Sequence, residues 1–409
     1  MPGPGYYWSG EEEEREVLEV IRGGHLFRYG KADDPSFKHK VVDLEEAVKQ
    51  RFEVPYTLAV SSGTAALVTA MIASGIGPGD EVICPGYTFI ASMSAIIFTG
   101  AVPVLAEIDE SLTLDPADVE RKLTKKTKAI LAVHMLGNPC DLDALKVIAR
   151  KHKLLLIEDA AQSFGGSYKG KALGTIGDIG IYSFNIYKTI NAGDGGMVVT
   201  HNEEMYKTAF AYHDQGHMPL RMGIEIGKRS LLGLNFRMNE LTGAYVLAQF
   251  RKIDRLIEGL HRVKDSYKQK ISGKPGISFR TLHDPKGECA TLLTVLLPNK
   301  VIADKVCADL GTKTISHSGW HVYSNMEQIL DKKQLNPGPP FRSTEFPTDV
   351  EYRKGMLPNT DRILERAINI SIGVIDAGLG SGFGVNPLSD EAEISEKAEK
   401  FVSTVGKYL

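Results

Sequence analysis

Between positions 56 and 200 the sequence alternates, and that alternation limits the possible folds more than any other feature. Short apolar runs (YTLAV, EVICP, AVPVLAEID, KAILAVHMLG, LLLIED) are each followed by a segment of helical character, such as SSGTAALVTAMIASG or DLDALKVIARKH. Parallel strands can be joined only over a crossover, and a helix is the usual one. The pattern therefore predicts an α/β fold: a large, mostly parallel sheet with helices on both faces.

The chain has 409 residues, of which 43% are hydrophobic, more than one small core organises. A second domain is expected after the sheet. From about Gly276 the runs ISFR and ATLLTVLLP, a helix KVIADKVCADLG, KTISHSGWHVY and a last helix near EKAEKFVSTV predict a smaller C-terminal α+β domain. The expected division is an N-terminal arm and helix over 1–30, the large domain over 31–255 and the small domain over 256–409. Leu241, Tyr245, Ala248 and Leu256 recur at helical spacing, which predicts one long amphipathic helix through that boundary. The most loop-like stretch is NPGPPFRSTEFP.

A formal net charge of −3 leaves no basic excess, so neither nucleic acid nor an anionic membrane is an expected partner. Cys84, Cys140, Cys289 and Cys307 are scattered without a CxxC pair, which argues against a disulfide framework and suits a reducing cytoplasm. No segment approaches the ~18 apolar residues of a membrane span, and MPGPGYYWSGEEEE carries no basic region before an apolar core. A soluble, unprocessed cytoplasmic protein is expected. His317 and His321 have i, i+4 spacing, but Gly319 lies between them and no third ligand accompanies them, so no metal site is expected.

The chemistry concentrates between Leu154 and Thr200. An apolar run delivers Asp159 to the carboxyl end of a strand, and a second run, GIYSF, leads to Ser183, Lys188 and a turn containing Gly193, Gly195 and Gly196. Such a lysine could form a Schiff base, and such a carboxylate could keep a pyridinium nitrogen protonated, as pyridoxal phosphate chemistry requires. An α/β sheet whose loops happen to carry Asp and Lys fits the same residues.

Other segments are equally two-sided. The small residues Ser61 to Ala65 open a helix, where free amides and a positive dipole suit a phosphate, or where tight strand-to-helix packing demands small side chains. Phe89 in PGYTF could lie against a flat ring or fill a core. Arg28 and Tyr29 in GHLFRYG are substrate-side candidates within what also reads as a structural arm, and Trp320 and His321 are a second such pair. His134, at a strand end, reads as a satisfied core or loop histidine.

The runs EDAAQSFGG, YKGKALGTIGDIG and SFNIYKTINAGDGG closely resemble the cofactor site of the DegT/DnrJ/EryC1/StrS sugar aminotransferases, a family of fold type I pyridoxal 5'-phosphate (PLP) enzymes. The resemblance implies that Lys188 and Asp159 are catalytic, that Gly63, Thr64 and Ser183 hold the cofactor phosphate, that Phe89 stacks on the ring, and that Gln162 packs near it. LGLNFRMNE resembles the element through which family members reach a neighbouring subunit's phosphate. Asn235 is the matching residue, which implies a homodimer with composite sites, whereas a plain helix start would make it structural.

The family takes an amino group from glutamate or glutamine and places it on a keto sugar, commonly nucleotide-linked. LFRY, VLAEIDESLTL, VHMLG and GSYKGKALGTIGD are similar to the branch that aminates C8 of an oxidised 3-deoxy-octulosonate (Kdo), giving 8-amino-Kdo for lipopolysaccharide. SFNIYK and NAGDGG depart from the commonest family spellings. The alternatives are amination of a nucleotide-linked keto sugar or a cyclitol, and a non-catalytic PLP-binding regulatory protein. Related sugar dehydratases carry His where Lys188 stands, which disfavours that reaction.

Overall fold

The computed structural model describes residues 3–31, 33–219, 228–334 and 337–409; Asn336 of the loop-like stretch, and Met1 and Pro2 of the arm, lie outside them. Helix α1 (Glu11–Gly23) begins with four glutamates in its first turn, at the positive end of its dipole, and stops where Gly24 turns left-handed at φ 80°. α2 (Lys40–Phe52) leads to β1 (Tyr56–Val60), and then α3 (Gly63–Ala73), β2 (Glu81–Pro85), α4 (Ile90–Phe98), β3 (Val102–Ala106) and α5 (Pro116–Lys122) alternate. β4 (Thr127–Val133), α6 (Leu142–His152) and β5 (Leu155–Asp159) continue the series. A ribbon of β6 (Ser167–Tyr168) and β7 (Lys171–Ala172) precedes β8 (Ile179–Ser183) and β9 (Gly196–Thr200).

Seven of these strands form one sheet in the order β1-β9-β8-β5-β4-β2-β3. The pairs β2 with β3, β2 with β4, β4 with β5 and β5 with β8 are parallel, while β9 runs antiparallel to both β8 and β1. The exception has a local cause. The loop 184–195 carries no crossover helix, so the chain turns back and β9 lies beside the strand it has just left. Leu58 and Val60 enter one apolar cluster and Ala59 the other, and Val82 and Cys84 alternate with Ile83 in the same way. Both faces of the sheet are thus covered, as a mainly parallel sheet requires.

α7 (Glu203–His213) follows, and then α8 (Glu240–Phe250) and α9 (Ile253–Ile271), which correct the expectation of one continuous helix. Arg251 is still helical, but Lys252 leaves the helical range at φ −105°, ψ 5°. Its amine is drawn to the Trp8 carbonyl at 2.7 Å and to Glu12 and Glu13 at 2.8 and 2.6 Å. α8 packs on α1 and α2, whereas α9 packs on the C-terminal helix, so the two apolar faces aim at different neighbours. α9 runs on through the boundary expected at 255/256.

β10 (Ser278–Phe279), β11 (Leu292–Leu296), α10 (Lys300–Leu310), α11 (Glu327–Leu330), α12 (Pro358–Leu364), β12 (Ala367–Ser371), β13 (Phe383–Gly384) and α13 (Glu391–Gly406) complete the chain. Their strands form a smaller sheet, β10-β11-β12-β13, antiparallel except between β12 and β13. Among the described residues no helix is long and apolar enough to cross a membrane.

Candidate active site

A cavity of about 440 Å³ opens where β1, β2, β4, β5 and β8 end, and segments around the smaller sheet close its other side. Sites in α/β sheets form at this carboxyl edge because the loops there diverge. Asp159, the last residue of β5, lines the cavity and is almost fully buried. Its Oδ2 accepts the Ser92 hydroxyl at 2.8 Å and its Oδ1 accepts the Ala161 N–H at 3.1 Å. Held from two sides, the carboxylate has little freedom to rotate.

Lys188 lines the same cavity from the loop between β8 and β9. That loop is cross-tied: Phe184 N–H donates to Gly195 O at 2.9 Å, Ile186 N–H to Gly193 O at 3.0 Å, and Lys188 N–H to Asn185 O at 2.9 Å. Gly193 and Gly195 supply the positive φ values, 81° and 148°, that the ties need. The N-terminal arm braces the loop from outside. Gly3 N–H donates to Ile186 O at 2.7 Å, and a side chain at Gly3 would run into the Tyr187 carbonyl. Burial pushes the pKa of the Lys188 amine down, while the charges of Asp159 and Asp376 pull it partly back.

The start of α3 forms the second half of the site. Ser62 caps it, its hydroxyl accepting the Ala65 N–H at 3.0 Å. The N–H groups of Gly63 and Thr64, both lining the cavity, have no acceptor among the described residues. A Cβ on Gly63 would stand 2.6 Å from Ser183 Cβ and 2.8 Å from its Oγ, so only glycine brings the helix end this close to the Ser183 hydroxyl. Free amides, a hydroxyl and a helix dipole together suit a phosphate.

Phe89 lines the cavity and is 39% exposed, which sets aside the core-aromatic alternative. Its ring lies 5.3 Å from that of His321, another lining residue. His321 is buried, bonds Ser318 Oγ through Nδ1 at 2.9 Å, and has its pKa pushed down to about 3 by burial and by the Lys188 charge. Trp320 lines the mouth and is 59% exposed. Gln162 is oriented by the Leu136 N–H, which donates to its Oε1 at 3.0 Å.

Three of the candidate residues do not line this chain's cavity. Arg28 is a buried structural cation that donates to both Glu45 oxygens at 2.8 and 3.1 Å and to the Ala59 carbonyl at 3.0 Å. Tyr29 is buried beside it, with its ring 5.4 Å from Phe27 and 6.5 Å from Phe210. Both tie the segment after α1 to the sheet, and neither lines the cavity, so the substrate-side reading is corrected. Asn235 also lies outside it, bridged to Asp214 with its Oδ1 accepting the Arg237 N–H at 3.4 Å. Nor does it start a helix, because the cap of α8 is Asn239.

His134 is buried, accepts the Cys140 N–H at Nδ1 (3.1 Å) and meets Glu158 through Nε2 (2.9 Å), a structural pairing. Of the lining residues that the sequence reading did not single out, Ser92 and Asp376 matter most. Ser92 could have been found from its place on the helix after PGYTF, but Asp376 comes from beyond β12, and nothing local to GVIDAGLG marks it. A lysine amine, a buried carboxylate, an anion cradle and an aromatic face fit PLP.

The comparisons agree with this geometry. The profile of the DegT/DnrJ/EryC1/StrS aminotransferase family matches residues 9–375. The chain is similar to the GDP-perosamine synthase of Escherichia coli O157:H7, at 41% identity over 56% of this chain and 62% of that protein. It is also similar to the L-glutamine:2-deoxy-scyllo-inosose aminotransferase of Streptoalloteichus tenebrarius, at 35% identity over 63% of this chain and 64% of that protein. Both matches thus span slightly less than two thirds of the relatives' own length. Among solved structures, an aminotransferase from Psychrobacter cryohalolentis superposes with a TM-score of 0.79 and 26% identity, covering 100% of this chain and 99% of that one. With fold, cavity and profile in agreement over nearly its whole length, the chain belongs to the DegT/DnrJ/EryC1/StrS aminotransferase family.

Proposed function

We propose that the protein is a PLP-dependent aminotransferase that moves an amino group from glutamate or glutamine to a keto sugar. The observation that carries this is the convergence of Lys188, Asp159 and the Gly63–Thr64–Ser183 cradle on one cavity. When bound, PLP supplies an aldehyde to carry the amine and a ring to accept electrons from the carbon being deprotonated.

Lys188 would hold that aldehyde at rest. Its lowered pKa leaves the amine a usable base, able to take a proton at the amine-bearing carbon and return it. Asp159, kept in place by Ser92 and Ala161, would hold the ring nitrogen protonated. Gly63, Thr64 and Ser183 would bind the phosphate, and Phe89 and Gln162 would set the plane of the ring. Trp320 and His321 would meet the substrate, His321 as a neutral hydrogen-bonding group.

For the acceptor, the sequence features of the Kdo branch support 8-oxo-3,8-dideoxy-octulosonate. The likeness to a GDP-perosamine synthase favours a second reading, a nucleotide-linked keto sugar, and the likeness to an inosose aminotransferase favours a cyclitol. We place the reaction in the cytoplasm and in a homodimer whose sites take Asn235 from the partner.

The test is a panel of these three acceptor classes with glutamate and glutamine as donors, scored by mass for exchange of oxygen for NH. Exchange on a keto sugar is expected. Exchange on the cyclitol alone would reject the sugar reading, and PLP binding without exchange on any acceptor would favour a non-catalytic regulatory protein.

A further inference from the structure

Asp376 stands on the segment between β12 and β13 and lines the cavity from the side opposite in origin to the large sheet. The backbone around it is closely held. Its N–H donates to Ser381 Oγ at 3.0 Å, and its carbonyl accepts the N–H groups of Leu379 and Ser381 at 3.0 and 3.1 Å. Within the carboxylate, Oδ1 accepts the Gly378 N–H at 2.7 Å, and no donor among the described residues reaches Oδ2. An ionised carboxylate can accept about four hydrogen bonds, so this one keeps spare capacity facing the cavity.

Of the other two acids of the cavity, one has both oxygens bonded and the other is tied to the loop that carries Lys188. Asp159 is bonded to Ser92 and Ala161, and Asp194 accepts the Asn185 amide at 3.1 Å. The described lining contains Asp159, Asp194 and Asp376 but no arginine and a single lysine, Lys188. A carboxylate at this wall favours groups that donate hydrogen bonds. The hydroxyls of a sugar are such donors, and a carboxylate that loses them is left unpaired, which penalises a deoxygenated competitor.

We propose that Asp376 is a specificity-determining residue that accepts hydrogen bonds from the hydroxyls of a polyhydroxylated acceptor. This rests on the aminotransferase reading and adds to it what the acceptor must present at this wall. Asp376→Asn retains an oxygen for the Gly378 N–H but replaces the free acceptor with a donor.

The test measures binding to the PLP-loaded protein by calorimetry. GDP-mannose, UDP-N-acetylglucosamine and Kdo are the probes, with GDP, UDP and octanoate as their hydroxyl-poor counterparts. The sugar that binds the wild type is expected to bind Asp376→Asn at least about 10-fold more weakly, with its counterpart unchanged. Asp376→Ala, checked for folding by circular dichroism and for cofactor by visible absorbance, should lose as much. Equal weakening of sugar and counterpart, or none, would overturn the proposal. If none of the sugars binds the wild type, the proposal falls, and the sugar reading falls with it only if no keto sugar is aminated either. Keto-sugar amination that proceeds alike in wild type and Asp376→Asn would reject this inference alone and leave the proposed function standing.

Discussion

At Gly63 a single hydrogen atom decides whether α3 can reach Ser183. The Cβ of Gly63→Ala would overlap Ser183, and relieving such an overlap costs about 1–3 kcal/mol. PLP affinity measured by fluorescence titration should fall by about 10-fold or more, and Ser183→Gly in the same chain should remove the clash without restoring the lost hydroxyl. Lys188→Ala should replace the absorbance of the lysine-linked cofactor by that of the free aldehyde and lower the exchange rate by at least about 10²-fold; an unchanged spectrum would reject the assignment. His213 and His321 provide a pH test. Burial pushes both down to about 3, so between that value and the unfolded 6.5 the unfolded chain binds more protons. Stability is then fully present above pH 6.5 and falls toward pH 3, by about 1.4 kcal/mol per pH unit per group. His213, which does not line the cavity, is the cleaner probe: denaturant midpoints of His213→Asn should vary less steeply between pH 7 and 4 than those of the wild type. Lys188 and Asp159 were legible because their chemistry is crowded into one stretch. Arg28 misled because a cation in sequence looks the same whether it will meet a ligand or Glu45.

The elements are tied to the site by a buried ionic path. Lys264 on α9 meets Glu288 at 2.5 Å, and Arg280, just after β10, lies 3.5 Å from the same carboxylate. Arg280 donates to the Met135 and Leu136 carbonyls at 3.1 and 2.8 Å, and Leu136 in turn orients Gln162. Burial has already pushed Lys264 down to about 8, against the pull of Glu288. Glu288→Gln should therefore destabilise the protein by about 3–5 kcal/mol in urea unfolding, since it strands buried cations, and adding Lys264→Met should recover part of the loss. A loss no larger for Glu288→Gln than for a surface substitution would show that the path bears no weight. Strand positions could be read from the apolar runs, because alternation within a strand is a local property. The break between α8 and α9 could not, because the helical period continues across it while Lys252 answers to Trp8, Glu12 and Glu13 far away in the chain.

For the molecule as a whole, the position of Asn235 outside its own chain's cavity accords with a site completed by a second chain. If so, Asn235→Ala and Lys188→Ala proteins, each impaired alone, should regain about a quarter of wild-type activity when unfolded, mixed and refolded together, since half the dimers then carry one intact site. No recovery, together with a fully active monomer in sedimentation, would refute the composite site. The sequence by itself determined the succession of strands and helices and the stretch that carries Lys188 and Asp159, because apolar period, glycine turns and clustered functional groups act over a few neighbouring residues. Only the tertiary structure decided that Asp376 and His321 share a cavity with them, that Arg28 and Tyr29 do not, and that β9 reverses direction. Those outcomes depend on contacts between segments from tens to well over a hundred positions apart or on the path of a whole loop, and no local pattern of residues specifies its distant partner.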